Sequence, residues 1–125
     1  WCARKSGSSP DNYFEYKKEY ENLINTFNPV DFDPEKWAAA AAYAGMKYVV
    51  FTTKHHDGFC LWDTATTDRK VTRSPLGVDV LAELRESCDR HGLKLSLYFS
   101  EGEWRWPGRR RTCPAWPGRC ARGPD

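Results

Sequence analysis

The chain has 125 residues, of which 40% are hydrophobic and 29% are charged, and its formal net charge is +2. This length matches one ordinary domain and about half of the ~250 residues that a complete (β/α)8 barrel requires. The composition excludes wholesale disorder, and the lack of any run of about 18 apolar residues excludes a membrane-spanning helix.

The N-terminal part of the chain predicts a loop followed by an amphipathic helix. Turn-forming residues run from Ser6 to Asn12, so we expect a loop over residues 1–12. Apolar side chains then recur every three or four positions, which predicts a helix over residues 13–26 that ends before Pro29. The apolar stripe of this helix consists of Tyr13, Tyr16, Tyr20, Leu23 and Phe27.

A second helix is predicted over residues 34–44. Asp33 stands at the N-cap position, Pro34 occupies the first helical position and Gly45 follows the last turn. Five consecutive alanines, residues 38–42, are strong helix formers with small side chains. We therefore expect this helix to lie close against a sheet.

The remainder of the body predicts a strand, a long connection, a helix and a second strand. Residues 47–53 are almost continuously apolar, which is typical of a parallel strand buried on both faces. A long connection without regular structure is expected over residues 54–78, a helix over 79–91 and the next strand over 93–99. The buried face of the third helix is predicted to contain Leu81, Leu84 and Cys88. The alternation of helices and strands favours a parallel α/β fold.

The last 21 residues differ from the body in composition. Residues 105–125 carry six arginines and one aspartate, a charge of +5, whereas residues 1–104 carry 13 basic and 16 acidic side chains, a charge of −3. The tail is rich in amino acids with G- and C-rich codons, so we interpret it as a reading-frame slip or unspliced sequence. The alternative is a genuine basic, disordered extension. Nucleic-acid binding would require the tail to be genuine, and we expect no nucleic-acid partner.

Five cysteines are an odd number, and they do not form a C-x-x-C motif. Three of them are scattered through the body, which is not cysteine-rich. A disulfide scaffold is therefore not expected.

The densest polar cluster of the chain is Lys54-His55-His56-Asp57, directly after the first predicted strand. Sites in parallel α/β folds form at the carboxyl ends of strands. The four ring nitrogens of the histidines suit a polyhydroxylated ligand such as a sugar, and they also suit a metal with Asp57 and Cys60 nearby. Adjacent residues on an extended backbone point apart, which disfavours metal. A third alternative is that one histidine is a core residue and the other is exposed.

A second polar cluster, residues 98–104, follows the second strand and is expected to lie beside the first. It combines aromatic rings with Glu101 and Glu103, as a carbohydrate site does, because rings pack on sugar C–H faces and carboxylates accept hydroxyl protons. Exposed loop acids are the alternative. Phe59 and Trp62 follow the histidines and form either an apolar wall of the site or ordinary loop packing.

These motifs identify a resemblance. The run from Ala44 to Asp63, which contains Lys-His-His-Asp-Gly-Phe, closely resembles the α-L-fucosidases of glycoside hydrolase family 29. The spacing to Gly92-Leu93-Lys94, Tyr98-Phe99-Ser100 and Glu103-Trp104 is also similar to that family. The resemblance covers residues 1 to about 104.

The resemblance implies a (β/α)8-like barrel, of which this chain covers two or three βα units, and an activity that needs no metal or other cofactor. The reaction is hydrolysis of terminal α-L-fucose from glycans with retention of configuration. The resemblance also implies that His55 and His56 hydrogen-bond the fucose hydroxyls and that Trp62 lies near the same pocket. A fucosylated glycan is then the partner, with no membrane involved.

The same resemblance implies that the chain alone is inactive. The family nucleophile, an aspartate on a later strand, and the acid/base carboxylate have no match here, so we name no catalytic residue. We expect a fragment without a signal peptide, whose parent is lysosomal, secreted or periplasmic and is a candidate homo-oligomer. Two other functions stay open: a non-catalytic carbohydrate-binding remnant, and a metal-dependent barrel hydrolase that uses His55, His56 and Asp57.

Overall fold

The computed structural model of the chain describes residues 13–101, so the N-terminal loop and the Arg-rich tail lie outside the described residues. The elements follow the predicted order. They are helix α1 (Tyr13–Asn22), a 3-10 turn (Leu23–Asn25), helix α2 (Pro34–Tyr43), strand β1 (Tyr48–Lys54), a 3-10 turn (Val71–Arg73), helix α3 (Val80–Arg90) and strand β2 (Lys94–Phe99).

The first helix is shorter than its apolar spacing predicts. It ends at Asn22, and the chain continues as the 3-10 turn, closed by a hydrogen bond from Thr26 N–H to Leu23 O at 3.1 Å. A 3-10 turn has about three residues per turn instead of 3.6, so the stripe changes direction here. Tyr16 and Tyr20 are half-buried, whereas Leu23 is 55% exposed, and its predicted place in the stripe is wrong.

The other helix boundaries follow local capping chemistry. Asp33 caps α2 as predicted, and Asp79 caps α3; each carboxylate accepts a hydrogen bond from the backbone N–H three residues further on, at 3.0 and 2.9 Å. Gly45 and Gly92 follow the two helices with φ of 76° and 65°, a backbone region that favours glycine. Each glycine lets the chain reverse into the next strand.

The two strands form a parallel sheet, as predicted, and α2 and α3 cover one face of it. β1 and β2 pair in register from Tyr48 with Lys94 to Thr52 with Tyr98. The core between the helices and the sheet consists of Ala38, Leu84, Cys88 and Leu93, against which Ala41, Ala42, Val49, Phe51 and Leu95 pack. Ala38 is 1% exposed, which confirms the close approach expected of the alanine-rich helix.

The prediction that the first strand is buried on both faces is wrong for the described part of the chain. Tyr48 is 61% exposed and Val50 57% exposed, while Val49 and Phe51 pack against the core. The physical reason is that both packed helices lie on the Val49 side, and no element within residues 13–101 covers the opposite face. The structure is an α/β unit with a two-stranded parallel sheet.

The connection between β1 and α3 is more ordered than expected. Cys60 forms isolated bridges with Lys54 and Lys70, and Cys60 O accepts a hydrogen bond from Val71 N–H at 2.8 Å. Cys60 and Cys88 are both buried, and burial raises the pKa of the Cys88 thiol. Every helix within residues 13–101 falls short of the length and apolar character that a bilayer crossing requires.

Candidate functional site

A β-bulge at the carboxyl end of the sheet separates the side chains of the Lys54–Asp57 cluster. Thr52 pairs with Tyr98 and Lys54 with Phe99, so Thr53 is the extra residue on β1. The Thr53 hydroxyl donates to Tyr98 O at 2.9 Å, and Thr53 is 3% exposed. A bulge bends its strand and redirects the side chains that follow.

Lys54, the first residue of the polar cluster after β1, points into the protein. Its side chain is 4% exposed, and Nζ donates to Ser100 O at 2.6 Å. Nζ also lies 4.6 Å from the centroid of the Phe99 ring, which is a cation–π distance. Ser100 N–H in turn donates to Lys54 O at 3.0 Å. Lys54 therefore joins the ends of the two strands.

The two histidines lie together at the end of β1. The chain turns after the strand, and Gly58 N–H donates to His55 O at 3.0 Å. The two imidazole centroids are 4.5 Å apart, with the rings at 69°. The expectation that adjacent residues point apart is therefore wrong, because it assumed an extended backbone where the structure has a turn.

The two polar clusters meet, as the sequence predicts for the carboxyl ends of neighbouring parallel strands. The exposed His55 ring stacks on Tyr98, with centroids 5.8 Å apart and planes at 24°. The half-buried His56 contacts Ser100 through Nδ1 and Oγ, which are 2.5 Å apart. Glu101 is exposed at the end of this segment, and residues 102–104 lie outside the described residues.

Asp57 contacts helix α1. Its Oδ2 accepts a hydrogen bond from the Tyr20 hydroxyl at 3.3 Å, and the Arg69 guanidinium lies 5.8 Å from the Tyr20 ring. Within residues 13–101, no three His, Cys, Asp or Glu side chains gather closely enough to hold a metal ion. Asp57 is thus held against α1 through Tyr20.

Trp62 lies near the site but contacts a different residue of β2. Its ring centroid is 6.1 Å from that of Phe99, with the planes at 58°. Because successive strand side chains point to opposite faces, Phe99 and Tyr98 lie on opposite sides of β2. Within residues 13–101, the ring that Trp62 contacts and the ring that His55 stacks on therefore lie on opposite sides of β2.

Hydrogen bonds to both strand and helix hold the segment around Trp62 in place. Leu61 N–H donates to Thr53 O at 2.9 Å, and Leu61 O accepts from Leu81 N–H at 3.0 Å. Asp63 Oδ1 lies 2.7 Å from Lys70 Nζ and accepts a hydrogen bond from Thr72 at 2.9 Å. Both hydrogen bonds lower the pKa of the Asp63 carboxyl, and the bond from Lys70 has the larger effect. Residues 61–63 are therefore fixed to both β1 and α3.

Sequence reasoning missed the roles of Lys54 and Ser100. The sequence shows Lys54 only as a member of the polar cluster after the first strand, and nothing in it distinguishes Ser100 within the second cluster. The contact between Ser100 and His56 spans 44 residues of sequence, and it depends on strand pairing that no local pattern specifies. The one available signal was the position of Ser100 directly after a predicted strand.

Comparison with known proteins places these residues in a family. The sequence profile of the alpha-L-fucosidase family matches residues 1–112. An alpha-L-fucosidase from Dictyostelium discoideum is 37% identical over 87 residues, which cover 68% of this chain and 19% of that protein. The chain thus spans about a fifth of the length of this relative.

Solved structures agree with the sequence matches. Alpha-L-fucosidase isoenzyme 1 from Paenibacillus thiaminolyticus superposes with a TM-score of 0.69 at 50% identity, covering 71% of this chain and 21% of that one. Alpha-L-fucosidase AlfC from Lactobacillus casei, solved with its alpha-L-fucose product, gives 0.69 at 42% identity, covering 71% of this chain and 28% of that one. On these matches, the chain belongs to the alpha-L-fucosidase family.

Proposed function

We propose that this chain is part of a retaining exo-glycosidase that removes terminal α-L-fucose from glycans, and that His55 and His56 bind the hydroxyl groups of the fucose. In this proposal residues 1–104 form two or three βα units of a (β/α)8-like catalytic barrel, and residues 105–125 are a separate tail. Trp62 is proposed to border the same pocket. The substrate is a fucosylated glycan.

The observation that carries the proposal is the geometry of the histidine pair within a chain of this family. The rings lie 4.5 Å apart at the carboxyl end of a parallel strand, and His55 stacks on Tyr98. Paired imidazoles can both donate hydrogen bonds to sugar hydroxyls and accept them, and an adjacent aromatic ring offers a surface for sugar C–H groups. This is the chemistry that a monosaccharide subsite requires.

The first experiment is titration of the full 125-residue chain with L-fucose, followed by NMR. We expect millimolar binding with the largest shifts at the imidazoles of His55 and His56. His55→Ala and His56→Ala should each weaken binding by about tenfold, because each removes hydrogen bonds to the ligand. Trp62→Ala should have a smaller effect, since the ring contact of Trp62 within residues 13–101 is with Phe99.

The matched control is His91→Ala. His91 lies at the end of α3, where its Nε2 is 2.6 Å from Glu35 Oε1, and we expect this variant to bind fucose as the wild type does. An equal loss of binding in His91→Ala and His56→Ala, or no fucose binding by the wild-type chain, would contradict the proposal for this chain.

A parallel assay with a chromogenic α-L-fucoside separates the alternatives. We expect no turnover, because no residue of the chain matches the family nucleophile. Fucose binding without turnover supports either a subsite of a larger enzyme or a carbohydrate-binding remnant. To distinguish these two, the chain is joined to the remaining catalytic segments of a family member. Hydrolysis by the joined protein supports the subsite, and binding without hydrolysis supports the remnant. Turnover that is abolished by a chelator and restored by zinc would favour the metal-dependent alternative.

A further inference from the structure

The backbone of Ser100 is held from the opposite strand. Ser100 follows β2, is 5% exposed, and donates its N–H to Lys54 O at 3.0 Å. Its carbonyl accepts from Lys54 Nζ at 2.6 Å, and Lys54 is 4% exposed. Because hydrogen bonds from β1 hold both the N–H and the C=O of Ser100, the direction of its side chain is set relative to the end of β1.

The side chain of Ser100 meets one nitrogen of one histidine. Ser100 Oγ lies 2.5 Å from His56 Nδ1. Within residues 13–101, this is the one hydrogen bond that the Ser100 hydroxyl makes. A buried hydroxyl proton requires an acceptor. If the hydroxyl donates to Nδ1, the neutral imidazole carries its proton on Nε2, since only one ring nitrogen of a neutral histidine is protonated.

We propose that Ser100 is a positioning residue whose hydroxyl holds His56 in the tautomer with the proton on Nε2, so that His56 donates a hydrogen bond to a sugar hydroxyl oxygen. The sugar in this inference rests on the proposed function, whereas the tautomer does not. His55 is held differently, through ring contacts with Tyr98 and His56. The adjacent histidines are therefore not equivalent.

The test measures the tautomer directly. The full 125-residue chain is labelled with ¹⁵N, and long-range ¹H–¹⁵N correlations of the imidazoles are recorded at about pH 8, where an ordinary histidine is neutral. We expect His56 to show a protonated Nε2 and an unprotonated Nδ1. A protonated Nδ1, or signals averaged between the two tautomers, in the wild-type chain overturns the proposal without any variant being needed.

Two substitutions separate positioning from general stability. Ser100→Ala removes the donor, and the His56 signals should move towards a mixture of tautomers, whereas Ser100→Thr keeps a hydroxyl and should preserve the wild-type pattern. Ser96→Ala, at an exposed position of the same strand, is the control and should change nothing at His56. His91, which is bonded to Glu35, serves in every spectrum as the internal check that the fold is intact.

A fucose titration of the same samples connects the tautomer to ligand binding. Ser100→Ala should weaken L-fucose binding by roughly three- to tenfold, the range expected for one misplaced hydrogen bond, and Ser100→Thr should restore most of it. Equal affinities for wild type and Ser100→Ala overturn the positioning role. If the wild-type chain shows the expected tautomer and binds no fucose, the proposed function fails while the tautomer assignment is confirmed.

Discussion

At the scale of single residues, Lys54 shows how one buried charge organises the end of the sheet. An ammonium group is costly to bury without partners. Here it donates to Ser100 O at 2.6 Å and lies over the Phe99 ring. The stem of the lysine packs inside while its charged end holds the backbone that carries Ser100, and through Ser100 it supports His56.

Replacing Lys54 by methionine should destabilise the protein although it keeps an unbranched apolar stem. The substitution leaves Ser100 O without its donor, and we expect a loss of about 1–3 kcal/mol in the free energy of unfolding. Urea denaturation of the two proteins measures it. Lys47→Met, at an exposed position before β1, is the matched control and should cost much less. Equal losses would show that the buried ammonium has no special role.

At the scale of elements, a polar cluster joins the start of helix α2 to the end of helix α3. Glu35 Oε1 lies 2.6 Å from His91 Nε2, and its Oε2 accepts from Arg90 at 2.8 Å. The hydrogen bond from His91 is the main cause, and that from Arg90 the second, of a pKa of Glu35 below its ordinary value of 4.5. The charged form of Glu35 is thus favoured by folding.

This lowered pKa predicts acid sensitivity of the helix pair. A carboxyl whose pKa is lower in the folded state adds stability above its ordinary value, and that stability is lost as the pH falls through the lowered value. Glu35→Gln should therefore be less stable than wild type at about pH 6, with a smaller difference at about pH 3. Thermal unfolding at both pH values tests this.

The control for the acid test is Glu83→Gln, which changes an exposed carboxylate in the first turn of α3. Its stability relative to wild type should vary less between the two pH values than that of Glu35→Gln. A Glu35→Gln difference that is the same at both pH values would contradict the prediction.

At the scale of the whole molecule, the uncovered side of the sheet is the main feature. Tyr48 and Val50 expose more than half of their surface, and within residues 13–101 the sheet contains no strand besides β1 and β2. Open edges and exposed apolar strand faces promote pairing with other chains. We therefore expect the purified chain to be marginally stable and to self-associate as its concentration rises.

A pair of valine variants tests whether the sheet face causes this association. Val50→Lys places a charge on the uncovered face and should reduce light scattering and the apparent mass in size-exclusion chromatography. Val30→Lys adds the same charge at a loop residue that is 78% exposed, against 57% for Val50, and should have a smaller effect. A cooperative, monomeric thermal transition of the unmodified chain would contradict the expectation of association.

The sequence was sufficient to predict those features of the fold that depend on neighbouring residues. The N-cap at Asp33, the left-handed glycines at Gly45 and Gly92, and the order of helices and strands depend on neighbouring residues, and the structure confirms them. The predicted end of α1 was less accurate. The change to a 3-10 turn at Leu23 breaks the helical period on which the prediction relied.

The sequence by itself determined the parallel α/β order and the motif of paired histidines that marks the family. Only the tertiary structure decided that the β1 bulge directs Lys54 inward, that a turn brings the His55 and His56 rings together, and that Ser100 meets His56. The physical reason is distance along the chain. Capping and turn chemistry act within a few residues, whereas the pairing of β1 with β2 brings together His56 and Ser100, which lie 44 residues apart.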